Sequence, residues 1–124
     1  DQGVATLEDG IWALEENLDD PVFVDKMVRF VRASMAGWRY AEANIDEAAA
    51  IIIEYDETGA QSEAAQARMM GEIAKLTAGS TGALDIEAYE RTVATLLAGG
   101  SDPVISMAPE GAYTTVITDA ALME

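Results

Sequence analysis

The sequence predicts a mainly α chain of about five helices with one or two short strands, and three observations lead there. Apolar residues recur at helical spacing in several separate stretches; capping residues, prolines and glycines stand at the ends of those stretches; and half of the 124 residues are apolar, too many for a disordered chain despite its charge. At 13.2 kDa the length fits one domain with one modest core.

The elements follow in chain order. Residues 1–18 form a leader whose Val4, Leu7, Ile11, Trp12, Leu14 and Leu18 are interspersed with acids, which reads either as a short strand at Gly10–Leu14 or as a poor amphipathic helix, and the strand is expected. Residues 19–124 carry the helices. Asp19 or Asp20 before Pro21 is an N-cap with proline in the first turn, where its missing N–H is an orphan anyway, so the longest helix is expected over Pro21–Ala41. Phe23, Met27, Phe30, Val31, Met35, Trp38 and Ala41 share one arc, which is expected to pack, with Trp38 in the core. Arg29, Arg32 and Arg39 continue round as a basic face, expected to be solvated rather than an anion-docking site.

Asn44 with Glu47 three residues on resembles a capping box, opening a second, short and buried helix through Ile45, Ala48, Ala49, Ile52 and Tyr55. Ala65, Met69 and Ile73, flanked by Met70 and Leu76, give a third helix after Ser62, ended by the breaker run Gly79–Gly82, with the methionine pair read as pliable core. Asp85 caps a fourth helix, with Ile86, Tyr89, Val93, Leu96 and Leu97 on one side and Gly99 and Gly100 at its end. A last helix is expected within Ala112–Met123, with Tyr113, Val116, Ile117 and Ala120 inward.

Composition then removes function classes. Twenty-three acids against seven bases give a net charge of −16, which repels a nucleic-acid backbone. With no Cys and no His, thiolate chemistry, disulfides, the usual zinc ligands and the commonest general acid/base near neutral pH are absent. No serine has a histidine partner, so triad catalysis is not expected and no residue is assigned a catalytic role. Glu54, Asp56 and Glu57 cluster, but without the alternating oxygen ligands and central glycine of a calcium loop, so neither metal nor cofactor is assigned. Gly99 and Gly100 lack the order of a phosphate-binding loop. The longest uncharged stretch, Thr92–Ser101, is far short of the roughly 20 apolar residues of a membrane span.

The run Asp25-Lys-Met-Val-Arg-Phe-Val-Arg-Ala-Ser-Met-Ala-Gly-Trp-Arg-Tyr-Ala41, followed by Asn44-Ile-Asp-Glu-Ala-Ala49, resembles the C-terminal part of periplasmic substrate-binding proteins of ABC importers, in the group for nitrate, sulfonates, taurine and thiamine pyrimidine precursors. Gly3-Val4, Leu7-Glu-Asp-Gly-Ile-Trp12, Gln66-Ala-Arg-Met-Met-Gly-Glu72, Leu84-Asp-Ile-Glu-Ala-Tyr-Glu-Arg-Thr92 and Pro109-Glu-Gly-Ala-Tyr113 extend the likeness over nearly the whole chain.

The resemblance implies a two-lobed α/β clamshell with the ligand in its cleft, of which this chain would be the last third: residues 1–18 a crossover and strand leader, residues 19–124 the helical part of one lobe. It implies solute capture for an importer and no enzyme activity, with a small anionic or pyrimidine-like solute and an ABC permease as partners, in the periplasm. Of the chain's own residues, only Asp1, Gln2, Glu8 and Asp9 on the leader are expected to face such a cleft, against the alternative of a solvated linker. Lacking its remaining lobe, the chain alone is expected to self-associate. Two other readings stand beside this one: a stand-alone acidic helical interaction domain, and a protein like the pyrimidine-precursor synthases of the same fold, whose histidine chemistry has no residue here.

Overall fold

Asp20 opens the longest helix as expected: its side chain accepts the Val22 N–H at 2.9 Å and Pro21 occupies the first turn. In the computed structural model, which describes residues 6–7 and 9–123, this helix α1 spans Pro21–Ala43, and α2 (Ile45–Glu54), α3 (Glu63–Thr77), α4 (Ile86–Leu97) and α5 (Val116–Leu122) follow it, with a 3₁₀ turn at Glu15–Asp19 ahead. Among the described residues there is no strand. Gly10–Leu14, the expected strand, is irregular and exposed; with no second strand to pair its N–H and C=O groups, an extended segment has nothing to form a ladder with.

Helix α1 is the spine. Its first half carries the only cluster of buried side chains from distant parts of the described chain, Val28 and Val31 against Ala121 of α5, with Val24, Met35, Ile117 and Ala120 around them. Burying a valine contributes about 1.5–3 kcal/mol, so this pair fixes where α5 sits. The packed stripe is therefore Val24, Val28, Val31 and Met35, rotated by about 60° from the expected arc. Phe30 and Trp38, expected in the core, fall to the outer side of that stripe, and Trp38 is 48% exposed.

The rotation also brings Arg32 beside the packed stripe. Its Nε donates to the Ala121 carbonyl at 3.0 Å and its Nη2 to the Ala120 carbonyl at 2.8 Å, closing the end of α5, which has no basic residue in its own last turn. Arg32 thus caps α5 while its side chain stays exposed, as expected of the basic face. Arg29 is also on the surface, paired with Asp25 at 3.1 Å.

The second half of α1 meets α2 and α3, which pack on each other as an antiparallel hairpin. Ala48 and Ala49 are buried on α2, and small side chains there let the backbones approach closely. On α3 the buried residue is Gln66, with Met70, Ile73, Ala74 and Thr77 partly covered, so its inner face is displaced from the expected Ala65–Met69 line. Ser62 caps α3 through the Ala65 N–H at 3.3 Å, and the Thr77 hydroxyl donates to Glu42 at 2.7 Å, tying the far end of α3 to α1.

The expected capping box at Asn44 does not form: Asn44 Nδ2 donates to the Tyr40 carbonyl at 2.9 Å, which finishes α1, and no side chain caps the start of α2. At the other end of the chain α5 begins at Val116, later than expected. Tyr113 lies outside it, its ring edge-on to Tyr89 of α4 with centroids 4.8 Å apart, and Val116 is more than half exposed.

Candidate functional site

Helix α4 stands apart from the other helices. Asp85 caps it through the Ala88 N–H at 3.0 Å, as its sequence predicts, and Ile86, Tyr89, Val93, Leu96 and Leu97 line one side, yet among the described residues no helix packs on that side. It is held by non-helical chain instead. The Leu7 N–H donates to the Thr92 hydroxyl at 2.9 Å, and Tyr113 covers Tyr89. The leader, where a ligand-facing role is expected, is thus anchored on α4.

Of the four residues expected to face a ligand, Asp1, Gln2 and Glu8 lie outside the described residues. Asp9 is exposed. No group of three or more His, Cys, Asp or Glu among the described residues is close enough to share a metal ion. No helix among them is long and apolar enough to cross a membrane.

The acids at the α2–α3 turn have a structural task. Asp56 accepts the Thr58 N–H at 2.9 Å and the Gln61 N–H at 2.8 Å, and takes the Thr58 hydroxyl as well, so both of its oxygens are used inside a loop that turns at Gly59 with φ +64°. The Thr58 hydroxyl, then the Gln61 N–H and the backbone N–H groups of Thr58 and Gly59, hold its carboxyl below the ordinary aspartate value. At the α1–α2 corner the hydrogen bond and negative charge of Glu47 raise the Tyr40 phenol above its ordinary value.

Two concavities stand out among the described residues. One, of about 390 Å³, is an open surface hollow at the α1–α2 corner, lined by residues 42–47, among them the acids Glu42, Asp46 and Glu47. Its acids offer an anionic solute only repulsion. The other, of about 140 Å³, is an apolar groove where Trp38 of α1, Ile52 of α2 and Met69, Met70, Ile73 and Ala74 of α3 meet. The sequence places Trp38 and Met69 in the core, and the groove exists because both stand half out of it. The signal for it is the apolar flank of α3 itself, which continues past Ile73 to Leu76 at the same azimuth as Met69. No protein-family model, no characterised protein and no solved structure matches the chain.

Proposed function

We propose that this chain is the C-terminal part of a periplasmic solute-binding protein serving an ABC importer, and that it captures a small anionic or pyrimidine-like solute only together with the rest of a two-lobed body. The observation that carries the reading is the ordered resemblance from Leu7-Glu-Asp-Gly-Ile-Trp12 through the Asp25–Ala41 run to Pro109-Glu-Gly-Ala-Tyr113. The exposed surface supports it. A folded protein of 13.2 kDa exposes about 6,400 Å², whereas this chain exposes 9616 Å². An amphipathic α4 without a helix partner, bound to the leader through Thr92, is where further elements of a lobe would rest. Asp1, Gln2, Glu8 and Asp9 are then the residues of this chain nearest the cleft, and turnover is not part of the function.

Calorimetric titration tests the proposal. The protein translated from the whole reading frame should bind one of nitrate, taurine, an alkylsulfonate or a thiamine pyrimidine precursor at micromolar or lower concentration, and replacing Asp9 by Asn in it should weaken that binding. The 124-residue chain alone should bind none of them. Tight binding by the chain alone, or a frame that encodes no second lobe, overturns the reading and favours a self-sufficient helical interaction domain.

A further inference from the structure

Helix α4 is locally complete but weakly fastened to the rest of the chain. Its own bonds are short in range: Asp85 caps the Ala88 N–H, Arg91 lies 3.9 Å from Glu87 one turn back, and the Thr92 and Thr95 hydroxyls donate to the Ala88 and Arg91 carbonyls. Its packing is sparse. No other helix among the described residues contacts it, and none of Ile86, Tyr89, Val93, Leu96 and Leu97 is buried. A helix of 12 residues is marginal in water by itself, because a costly nucleation is repaid by few hydrogen bonds. Helix α4 therefore stays helical through whatever docks it.

Two contacts with irregular chain do so: the Leu7 N–H on the Thr92 hydroxyl at 2.9 Å, and the Tyr113 ring edge-on to Tyr89. Thr92 couples the first of them to the helix. Its hydroxyl donates to the Ala88 carbonyl at 2.8 Å while its oxygen accepts the Leu7 N–H, so the turn of α4 that orients the hydroxyl and the bond to the leader hold each other. The flanks of α4 set the limits of the unit. Ahead of it Gly82, at φ +84°, sits against the Met35 sulfur of α1, which fastens the chain to that point; behind it Gly100, at φ +68°, has open space around it. We propose that residues 83–100 form a conformational switch, either docked and helical or undocked and unfolded while α1, α2, α3 and α5 stay in place, with the leader as a strap whose Leu7–Thr92 bond sets the balance. Release of the strap and loss of the amphipathic helix are then a single event.

Native-state hydrogen exchange on the 124-residue chain, in denaturant well below the unfolding midpoint, tests this. The hydrogen-bonded amides of residues 89–97 should exchange through an opening that is easier and less denaturant-dependent than that of residues 24–43, yet more slowly than a free peptide. Thr92→Val keeps the shape and removes the acceptor, and should speed exchange in residues 89–97 about two- to tenfold with α1, α2 and α3 unchanged. Thr95→Val makes the same change of helix propensity away from the strap, where the hydroxyl bonds the Arg91 carbonyl, and should have a clearly smaller effect. Tyr113→Ala breaks the second contact from outside α4 and should act like Thr92→Val. Exchange of residues 89–97 only through global unfolding overturns the proposal. So does unprotected exchange there in the parent chain, which leaves no docked state to hold, or an equal effect of the two valine variants. None of these outcomes depends on solute binding, so this switch and the solute-binding reading fail separately.

Discussion

Arg32 and Ala121 lie 89 positions apart, and the hydrogen bond between them, 3.0 Å from Nε to the carbonyl oxygen, joins the middle of the first helix to the end of the last. With its companion bond to Ala120, it supplies the positive charge that α5 lacks at its negative end.

Replacing Arg32 by Met keeps much of the apolar stem and removes the donors. The expected loss is about 1 kcal/mol in denaturant unfolding, together with faster amide exchange confined to residues 116–122. Lysine at this position should recover part of that loss, since it offers charge without the planar fork.

Asp56 predicts an acid limb in the stability profile. Its carboxyl is held below the ordinary aspartate value by hydrogen bonds made only in the folded loop, so the folded state binds the proton less readily than the unfolded one. The contribution is complete above the ordinary aspartate range and is lost as pH falls through the lower folded value. Urea midpoints measured from neutral pH downward should fall less steeply for Asp56→Asn than for the parent chain.

Ala49 is completely buried on α2. Replacement by Leu overfills the approach of α2 to its neighbours and should cost about 1–3 kcal/mol, whereas the same change at the exposed Ala50 should cost almost nothing. Thermal unfolding of the two variants separates packing from helix propensity, which is the same in both.

Gly82 combines a positive φ of +84° with a crowded site, where an added Cβ would fall against the sulfur of Met35. Gly79 has a similar φ of +79° and open space around it. Gly79→Ala should lose the backbone cost of about 1–2 kcal/mol. Gly82→Ala should lose more, and the added loss should shrink when Met35 is replaced by Ala.

Local chemistry makes the helix starts legible in the amino-acid order alone: Asp20-Pro21, Ser62 and Asp85 cap where the sequence says they do, and each fixes a boundary by a bond to a residue two or three positions on. What stays hidden depends on distant partners. The face that α1 packs is set by where α5 lands, so periodicity alone puts Trp38 inside and leaves Val28 out. Asn44 and Glu47 have the spacing of a capping box, but the Asn44 side chain turns back to the Tyr40 carbonyl. The expected strand at Gly10–Leu14 fails for want of a neighbour, and α3 turns Gln66 inward where the spacing points to Ala65. The groove the fold does form is lined by none of the leader residues singled out for a ligand, because it arises where three helices meet at half-exposed edges.

Helix α1 carries one cluster on each half, Val24 to Met35 with α5 and Trp38 to Glu42 with α2 and α3, and Gly37 falls between them with no neighbour within 4 Å of where its side chain would begin. Glycine inside a helix is about 1 kcal/mol less favourable than alanine. The continuous hydrogen-bond ladder of α1 is therefore weakest at the joint between the two clusters, and cooperativity between them must pass through that joint. Two folding units sharing one splint are the expected consequence: damage at Arg32 and damage at Ala49 fall on opposite sides of it, and their energetic effects should sum instead of compounding.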